Sequence, residues 1–201
     1  MRRVVLVRHG SHDRLGRILC GRMPGVSLSE AGRAEARATA AALGRRLGSG
    51  EGVVLVASPR ERTQETAAAI ADVLGLAVGT DAAIDEIDFG AWTGRRLADL
   101  AGDDGWDAWN ARRGSSRPPG GESMGEVQAR IGARLDRLAR EEAPPAILVS
   151  HGDVIRGAIL HLLGLPLDAY DRIVVGPASW SELDLWPGGG RVVSLNERAA
   201  P

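Results

Sequence analysis

The sequence predicts an α/β protein in which a mostly parallel, doubly wound sheet lies between helices on both faces. Three short aliphatic runs, Val4–Val7, Val53–Ala57 and Ala146–Val149, contain no alternating polar residues. This pattern is typical of strands buried on both faces, as in a parallel sheet. Each run is followed by a helical pattern, and strands that alternate with helices indicate βαβ units. We therefore expect a three-layer architecture.

Capping residues, glycines and prolines mark where four helices begin and end. Ser29 is a residue type that caps helix N-termini, and Gly48-Ser49-Gly50 ends the same pattern. Pro144-Pro145 stops the third helix, and Gly164 with Pro166 stops the fourth. The predicted helices cover about 29–47, 60–74, 122–143 and 154–163.

The remaining chain predicts two additions to this sheet. Ala178–Leu185 and Arg191–Leu195, joined through Pro187–Gly190, indicate a hairpin at the sheet edge. The segment of about 83–121, rich in tryptophan and glycine, is expected to be inserted over the sheet, as a substrate lid or as a peripheral packing layer. Since neither an internal repeat nor a low-complexity linker is seen, we expect a single domain over residues 1–201.

The composition excludes several classes of function. The net charge of -1 gives no sign of a nucleic-acid or membrane partner, and no apolar run approaches the roughly 18 residues of a membrane span. Cys20 is the single cysteine, so neither an intrachain disulfide nor a CxxC metal site is possible. All 25 basic residues are arginine, which excludes a lysine Schiff base and a P-loop lysine. A cytoplasmic protein is expected.

Polar side chains follow each of the three aliphatic runs. Arg8-His9-Gly10 follows the first, Ser58–Arg62 the second and Ser150–Asp153 the third. Ligands of open α/β sheets bind outside the carboxyl ends of the strands. If the three strands are parallel neighbours, two histidines and two or three arginines meet there. Arginine forks and helix N-termini bind phosphate oxygens, so the sequence predicts a small phosphate pocket.

These residue types also match the needs of phosphoryl transfer. Arginines neutralise the phosphoryl oxygens, a neutral imidazole attacks phosphorus, and a protonated carboxyl donates to the leaving oxygen. Nearby guanidinium charges disfavour an imidazolium. The segment Asp85–Gly90 contains the candidate acid.

Arg8-His9-Gly10 and the motifs that follow it resemble the signature of the histidine phosphatase superfamily, the phosphoglycerate mutase-like proteins. The resemblance covers about residues 3–165. The further segments that carry it, in the family's order, are Cys20–Arg22, Val26–Gly32, Ser58–Ala67, Glu86–Gly94, Pro119–Ser123 and Ser150–Gly152.

The resemblance implies a role for each matched residue. His9 is the nucleophile that becomes phosphohistidine, Arg8 and Arg62 bind the phosphoryl oxygens, and His151 stabilises the transferring phosphate. Glu86, in preference to Asp88 or Asp85, is the proton donor and then the base that activates water. The resemblance implies neither a metal nor an organic cofactor.

Further substrate contacts are expected from Gly21, Arg22, Gly152 and Ser11. The sequence departs from the family around Ser11, because Ser11-His12 follows Arg-His-Gly where the family often has Glu or Gln and then Thr or Ser, and the asparagine a few residues on is missing. His12 in this stretch is either a substrate contact or a residue of a surface loop. Arg22 has a solvated arginine as its alternative.

The predicted function is a phosphomonoester hydrolase that acts on a small phosphorylated metabolite through phosphohistidine. The first alternative is a phosphoglycerate mutase-type isomerase, which family members of greater length perform. The second is a non-catalytic protein that binds a phosphorylated ligand on the same fold. A homodimer is possible, through the edge hairpin or the lid.

Overall fold

The computed structural model describes residues 1–48, 50, 52–141 and 144–199. Its strands are β1 (Arg2–Arg8), β2 (Val54–Ala57), β3 (Val78–Thr80), β4 (Ala146–Ser150), β5 (Trp180–Trp186) and β6 (Gly189–Glu197). Its α-helices are α1 (Glu30–Leu47), α2 (Glu61–Leu74), α3 (Leu97–Leu100), α4 (Asp104–Ala111), α5 (Met124–Arg140) and α6 (Gly152–Leu163). Short 3-10 helices lie at Ala82–Ile84, Gly90–Trp92 and Leu167–Arg172.

The strands form one sheet in the order β3-β2-β4-β1-β5-β6. The first four are parallel, while β5 runs antiparallel to β1, and β6 antiparallel to β5. The predicted α/β class and the hairpin at the sheet edge are confirmed. The three strands predicted from aliphatic runs are neighbours, so their carboxyl ends meet at one edge. Strand β3 was not predicted, since it has three residues and none of them is fully buried.

Each face of the sheet packs against its own pair of helices. Val4 and Leu6 of β1 belong to the core that includes the buried side chains of α5 and α6. Val5 and Val7 point to the other face, into the core built with α1 and α2. Alternate residues of a strand point to opposite faces, so an uninterrupted aliphatic run serves both layers. Burial of each such side chain stabilises the fold by roughly 1.5–3 kcal/mol.

Side-chain caps fix where the helices begin. The Ser29 hydroxyl accepts a hydrogen bond from Gly32 N at 3.0 Å, which confirms it as the N-cap of α1. Helix α5 begins two residues later than predicted, because Ser123 and Glu126 form a reciprocal capping box. Helix α6 begins two residues earlier than predicted, at Gly152. Ser49 of the predicted stop, and residues 142–143 at the predicted end of the third helix, lie outside the described residues.

The inserted segment packs its tryptophans into the core. Trp92 and Trp109 are buried, and the Trp92 ring meets those of Trp106 and Trp109 edge-on, with centroids 5.5 and 6.4 Å apart. Both buried rings belong to the same core as α5 and α6. The buried tryptophans therefore serve packing, and the expectation that the segment forms a substrate lid stays a prediction. Among the described residues, none of the helices has the length and apolarity needed to cross a bilayer.

Candidate active site

His9 lies immediately after β1 and is fixed through its backbone and its ring. Its amide donates to Ser150 O at 3.0 Å, and its carbonyl accepts from Ala178 N at 3.1 Å. The ring Nδ1 is 2.8 Å from Gly10 O, and Nε2 accepts from Arg62 Nε at 3.3 Å. Since a carbonyl only accepts, we assign the proton to Nδ1. The lone pair of Nε2 is then directed to the same side as the Arg62 guanidinium.

The loop that carries His9 packs tightly onto the start of α1. A Cβ built on Gly32 would lie 1.8 Å from Ser11 O, and one on Gly10 would lie 2.5 Å from Gly32 O. Both distances are too short for any side chain, so the close approach of loop and helix requires glycine at the two positions. Gly10 N also donates to Thr66 Oγ1 of α2 at 3.1 Å, which ties the loop to a second helix.

Two arginines, Arg62, which is buried, and Arg8, which is partly buried, have unpaired donors in the pocket that contains His9. Arg62, in the first turn of α2, donates from Nη2 to Gly21 O at 2.8 Å, while its buried Nη1 has no partner among the described residues. Arg8 donates from Nη1 to Val175 O at 2.7 Å, and its buried Nε is likewise unpaired within the described chain. Buried donors without acceptors destabilise a fold, so both guanidinium groups are suited to an anionic ligand.

His151 precedes α6 and is fully buried. Its Nε2 is 2.8 Å from Ser58 Oγ, which lies 2.9 Å from Asp85 Oδ1. A carboxylate only accepts, so Ser58 donates to Asp85 and accepts from His151 Nε2. This chain of hydrogen bonds fixes the ring with Nδ1 directed toward Arg62 Nη2, at 3.1 Å.

Glu86 completes the group with a carboxyl that titrates near neutrality. Its Oε2 lies 3.4 Å from His151 Nδ1 and 3.8 Å from Arg62 Nη2. Burial, with a smaller contribution from the charge of Asp153, raises the pKa of Glu86 to about 7, against the opposing effect of Arg62. A substantial fraction of this carboxyl is therefore protonated at neutral pH.

Both histidines stay neutral for a shared reason. Burial first, and the Arg62 charge second, hold the pKa of His9 and of His151 well below the usual value. A neutral imidazole has a free lone pair and is nucleophilic. His9 therefore has the protonation state that attack on phosphorus requires.

The side chains surround a pocket of about 140 Å³. This is small beside the roughly 300–1,000 Å³ of sites that hold drug-sized ligands. The pocket suits a phosphoryl group and the first atoms attached to it. His151 lies behind the lining, against Arg62 and Glu86. The lining residues are Arg8, His9, His12, Leu15, Ile18, Leu19, Cys20, Gly21, Arg62, Glu86, Phe89, Gly152, Asp153 and Arg156.

Of the four additional substrate contacts predicted from sequence, two line the pocket and two do not. Gly21 and Gly152 line the pocket. The Ser11 side chain does not reach it, because its hydroxyl and amide donate to Glu35 of α1 at 3.0 and 2.8 Å. Arg22 also lies outside the lining.

Arg22 is instead held by the segment that carries the candidate acid. Its Nε donates to Glu86 O at 2.7 Å, and its Nη2 pairs with Glu122 at 2.6 Å. Two alternatives were predicted for Arg22, a substrate contact and a solvated arginine. Neither of them includes its contacts with Glu86 O and Glu122. The side chain positions the Glu86 backbone, and its partner in the pair is 100 residues away.

Among the polar lining residues, Asp153 and Arg156 had no predicted role, and substrate contact was one of two alternatives for His12. Asp153 and Arg156 project from the first turns of α6, and His12 from the loop after β1. The helical spacing after Gly152 was the available signal for Asp153 and Arg156, since i and i+3 share a helix face. Within the described residues, no cluster of three or more His, Cys, Asp or Glu side chains is arranged to hold a metal ion.

A known protein family matches nearly the whole chain. The model of the histidine phosphatase superfamily (branch 1) matches residues 4–198. The chain belongs to this superfamily. Membership agrees with the sequence-based resemblance and extends it through the C-terminal hairpin.

Relatives within the histidine phosphatase superfamily differ in their named activities. The chain is 31% identical over 210 residues to a glucosyl-3-phosphoglycerate phosphatase of Mycobacterium tuberculosis (strain ATCC 25618 / H37Rv), covering 98% of this chain and 92% of the relative. It is 34% identical over 148 residues to a protein named "Probable phosphoglycerate mutase GpmB" of Enterobacter sp. (strain 638), covering 70% and 69%.

Solved structures of the superfamily share the fold along the whole chain. The native structure of mycobacterial glucosyl-3-phosphoglycerate phosphatase matches with a TM-score of 0.85 at 30% identity, covering 99% of this chain and 100% of that one. A phosphoserine phosphatase mutant of Entamoeba histolytica, in complex with phosphoserine, matches with a TM-score of 0.84 at 25% identity, covering 98% of both.

Proposed function

We propose that the chain is a phosphatase that transfers the phosphoryl group of a small phosphorylated metabolite to His9 and then to water. One observation carries the proposal. The Nε2 lone pair of a neutral His9 lies beside Arg62, Arg8 and Arg62 each have a buried donor without a partner in the described chain, and a carboxyl with a pKa of about 7 lines the same pocket. Nucleophile, anion-binding groups and acid are therefore assembled in the states that the reaction needs.

The first half of the reaction forms phosphohistidine. His9 Nε2 attacks phosphorus, and the bond between phosphorus and the ester oxygen breaks. The protonated Glu86 carboxyl gives its proton to that oxygen, so the leaving group departs as an alcohol. Arg8 and Arg62 bind the phosphoryl oxygens, whose charge is spread over them during transfer.

The second half reverses the role of the acid. The Glu86 carboxylate takes a proton from water, the hydroxide oxygen bonds to phosphorus, and the bond from phosphorus to His9 Nε2 breaks. Inorganic phosphate leaves, with His9 neutral and Glu86 protonated again. His151, fixed by Ser58 and Asp85, accepts a hydrogen bond from Arg62 Nη2 through Nδ1 and so orients the guanidinium that binds the phosphoryl oxygens. The scheme is metal-independent, since each step uses a side chain of the pocket.

The size of the pocket indicates where the leaving group lies. A phosphoryl group fills much of about 140 Å³, so a larger leaving group extends beyond it. Ile18 also borders an adjoining groove of about 510 Å³, in which Arg14, Arg17 and Arg96 contribute to the lining. A metabolite whose leaving group carries an anionic or hydroxyl-rich part fits these surroundings. The named substrates of the relatives, glucosyl-3-phosphoglycerate and phosphoserine, define the first compounds to test.

The deciding experiment compares wild type with His9→Ala on an activated aryl phosphate and on a panel of metabolite phosphates. We expect turnover by wild type only, and phosphate on wild-type protein that is labile to acid and stable to alkali. His161→Ala, an exposed histidine on α6, is the matched control and should equal wild type. Equal, negligible turnover by wild type and His9→Ala would instead favour a phosphate-binding protein.

Mutase activity is the second candidate, because one of the relatives carries that name. A mutase must retain the phosphoryl group and exclude water. Interconversion of 2- and 3-phosphoglycerate, measured with and without a bisphosphate primer, separates the two activities. Robust interconversion with little release of phosphate would replace the phosphatase proposal.

The organisation of the whole protein is part of the proposal. A single domain over residues 1–201 is supported by a family match from 4 to 198 without a break. A cytoplasmic location, the absence of nucleic-acid and membrane partners, and a possible homodimer stay predictions from the sequence.

A further inference from the structure

His12 stands out as a polar residue of the pocket with no role in the scheme above. It lies in the loop between β1 and α1, three positions after His9. Its ring centroid is 5.5 Å from that of His9, with 33° between the ring planes. Only 8% of the residue is exposed, although it lies in a loop and lines the pocket. The loop therefore buries an imidazole beside the nucleophile.

The imidazole of His12 lacks a partner for its buried nitrogen. Nδ1 is buried and makes no hydrogen bond within the described residues. Neighbouring Ser11, by contrast, turns away to Glu35 of α1 and satisfies both of its donors there. A buried polar atom without a partner destabilises the fold unless a ligand or water completes it. His12 is thus the side chain of this stretch that is available to a ligand.

The charge state of His12 limits what it can bind. Burial, followed by the charges of Arg62 and Arg8, lowers the pKa of His12 to about 4, while Asp13 opposes the shift. At neutral pH the ring has one N–H donor and one acceptor nitrogen. The oxygens of a phosphoryl dianion only accept, so the N–H is the group that can contact them.

The distances place a bound phosphoryl group within reach of this donor. In a near-attack arrangement, phosphorus lies about 3–3.5 Å from His9 Nε2. The His12 ring centroid is 5.5 Å from that of His9, and both residues line the same pocket, so a phosphoryl oxygen on the His12 side of the pocket is within reach of the His12 ring. Arg8 and Arg62 serve the remaining oxygens.

We propose that His12 is a substrate-binding residue that donates one hydrogen bond to the phosphoryl group held by Arg8 and Arg62. The inference rests on the proposed function, since it assigns a further contact in the same pocket. It also assigns a binding role to the segment in which this sequence departs from its family.

The test combines inorganic phosphate binding, measured by calorimetry, with kcat/KM on an aryl phosphate. His12→Ala and His12→Phe remove the donor, and Phe keeps a ring of similar shape. His12→Asn places an amide donor near the position of Nδ1, and His12→Gln places one near Nε2. His161→Ala serves as the control histidine, and melting temperatures show which variants are folded.

We expect the Ala and Phe variants to bind phosphate about tenfold to hundredfold more weakly and to lose kcat/KM by a similar factor. At least one amide variant should recover most of the loss in both measurements. Wild-type phosphate affinity in a folded Ala or Phe variant would overturn the proposal. So would failure of both amides to recover binding, which would indicate a packing role.

Phosphate binding separates this inference from the proposed function. If wild type binds phosphate but hydrolyses no ester, the phosphatase proposal fails and the His12 contact is still decided by calorimetry. If wild type hydrolyses esters and the donor-free variants match it, the His12 proposal fails and the phosphatase proposal stands.

Discussion

Glu86 is the residue whose protonation state is tuned closest to neutral pH. Its pKa of about 7 is raised chiefly by burial, and the carboxyl must be protonated to act as the acid in the first half-reaction. The protonated form predominates below about pH 7 and is lost above it. His9 and His151 stay neutral across the same range, because their pKa values lie well below the usual one.

The activity should therefore fall on the alkaline side of neutrality for demanding substrates. For an alkyl phosphate, whose leaving group needs a proton, kcat/KM should fall about tenfold per pH unit above about pH 7. An activated aryl phosphate should show a much weaker decline. Measuring both esters from pH 5 to 9 checks this. Parallel profiles for the two esters would contradict the assignment of Glu86 as acid.

Glu86→Gln keeps the shape of the side chain and removes the transferable proton. We expect it to lower kcat/KM, which reports the formation of phosphohistidine, by about 10²–10⁴-fold on alkyl phosphates and by much less on activated aryl phosphates. The fall in kcat/KM on the alkyl phosphate above about pH 7 should be absent in this variant. Asp88→Asn, on the same segment, is the matched control and should show the same fall as wild type. Equal losses on both esters for Glu86→Gln would point to a role other than proton donation.

Ser58 acts through His151 as a positioning residue. It links the His151 ring to Asp85 by hydrogen bonds of 2.8 and 2.9 Å. Ser58→Ala should lower kcat by about tenfold with a smaller change in KM, because a freed His151 ring no longer holds the Arg62 guanidinium in place. Ser58→Thr keeps the hydroxyl and should recover most of the loss. A larger effect on KM than on kcat, from steady-state kinetics, would show that Ser58 affects substrate binding instead.

The loop that carries His9 packs so closely against α1 that no space remains for a side chain at Gly32. Gly32 lies in the first turn of α1, where alanine would ordinarily favour the helix by about 1 kcal/mol. Here the added Cβ would lie 1.8 Å from Ser11 O, so alanine should destabilise the protein instead. Gly32→Ala should lower both the melting temperature and kcat, by moving the loop that carries His9 and His12.

Gly125→Ala is the control for this steric effect. It lies in the first turn of α5, where a new Cβ would have its closest contact at 3.7 Å, an ordinary distance. Thermal unfolding and the aryl phosphate assay should show unchanged activity and a melting temperature equal to or above that of wild type. Unchanged activity in Gly32→Ala would mean that the loop yields without disturbing the site.

Sequence reasoning succeeds for elements with strong local signals. The aliphatic runs that precede His9 and His151 define their strands without reference to distant parts of the chain, and the Ser29 cap does the same for α1. Strand β3 was missed because Val78-Gly79-Thr80 is short and lacks full burial.

The loop contacts depend on partners far away in the chain. The direction of the Ser11 side chain is set by Glu35, 24 residues on, and that of Arg22 by Glu122, 100 residues on. Nothing in the local pattern reports such partners, so both side chains were expected in the pocket. Burial of His12 has the same origin, since it follows from how the whole loop folds over the strand ends.

For the whole molecule, the site is a source of instability as well as of function. Arg8 has a buried Nε without an acceptor in the described chain, and its guanidinium is desolvated. Anything that binds the folded state alone stabilises it, by about 2.7 kcal/mol at a hundredfold excess over Kd. Inorganic phosphate should therefore raise the melting temperature by about 5–10 °C in a protein of this size.

Arg8→Met tests the origin of this stabilisation. Removing a buried, incompletely paired charge should raise the melting temperature of the ligand-free protein, whereas the shift caused by phosphate should largely disappear. Differential scanning calorimetry with and without phosphate measures both effects. Arg14→Met, in the loop after β1 and outside the pocket lining, is the control and should keep the shift. A lower melting temperature in ligand-free Arg8→Met would show that the arginine stabilises the fold by itself.

The position of β1 between β4 and β5 makes the site depend on contacts that are distant in sequence. Strand β1 carries Arg8 and leads into His9, yet it pairs with Ala146–Ser150 on one side and with Trp180–Leu185 on the other. The anchor of Arg8, Val175 O, is 167 residues away along the chain. The entropy of closing such long loops opposes these contacts until the distant strands meet, so pairings of this kind form slowly. The catalytic centre is therefore completed only when distant parts of the chain have folded together, and no short segment that contains His9 can assemble it.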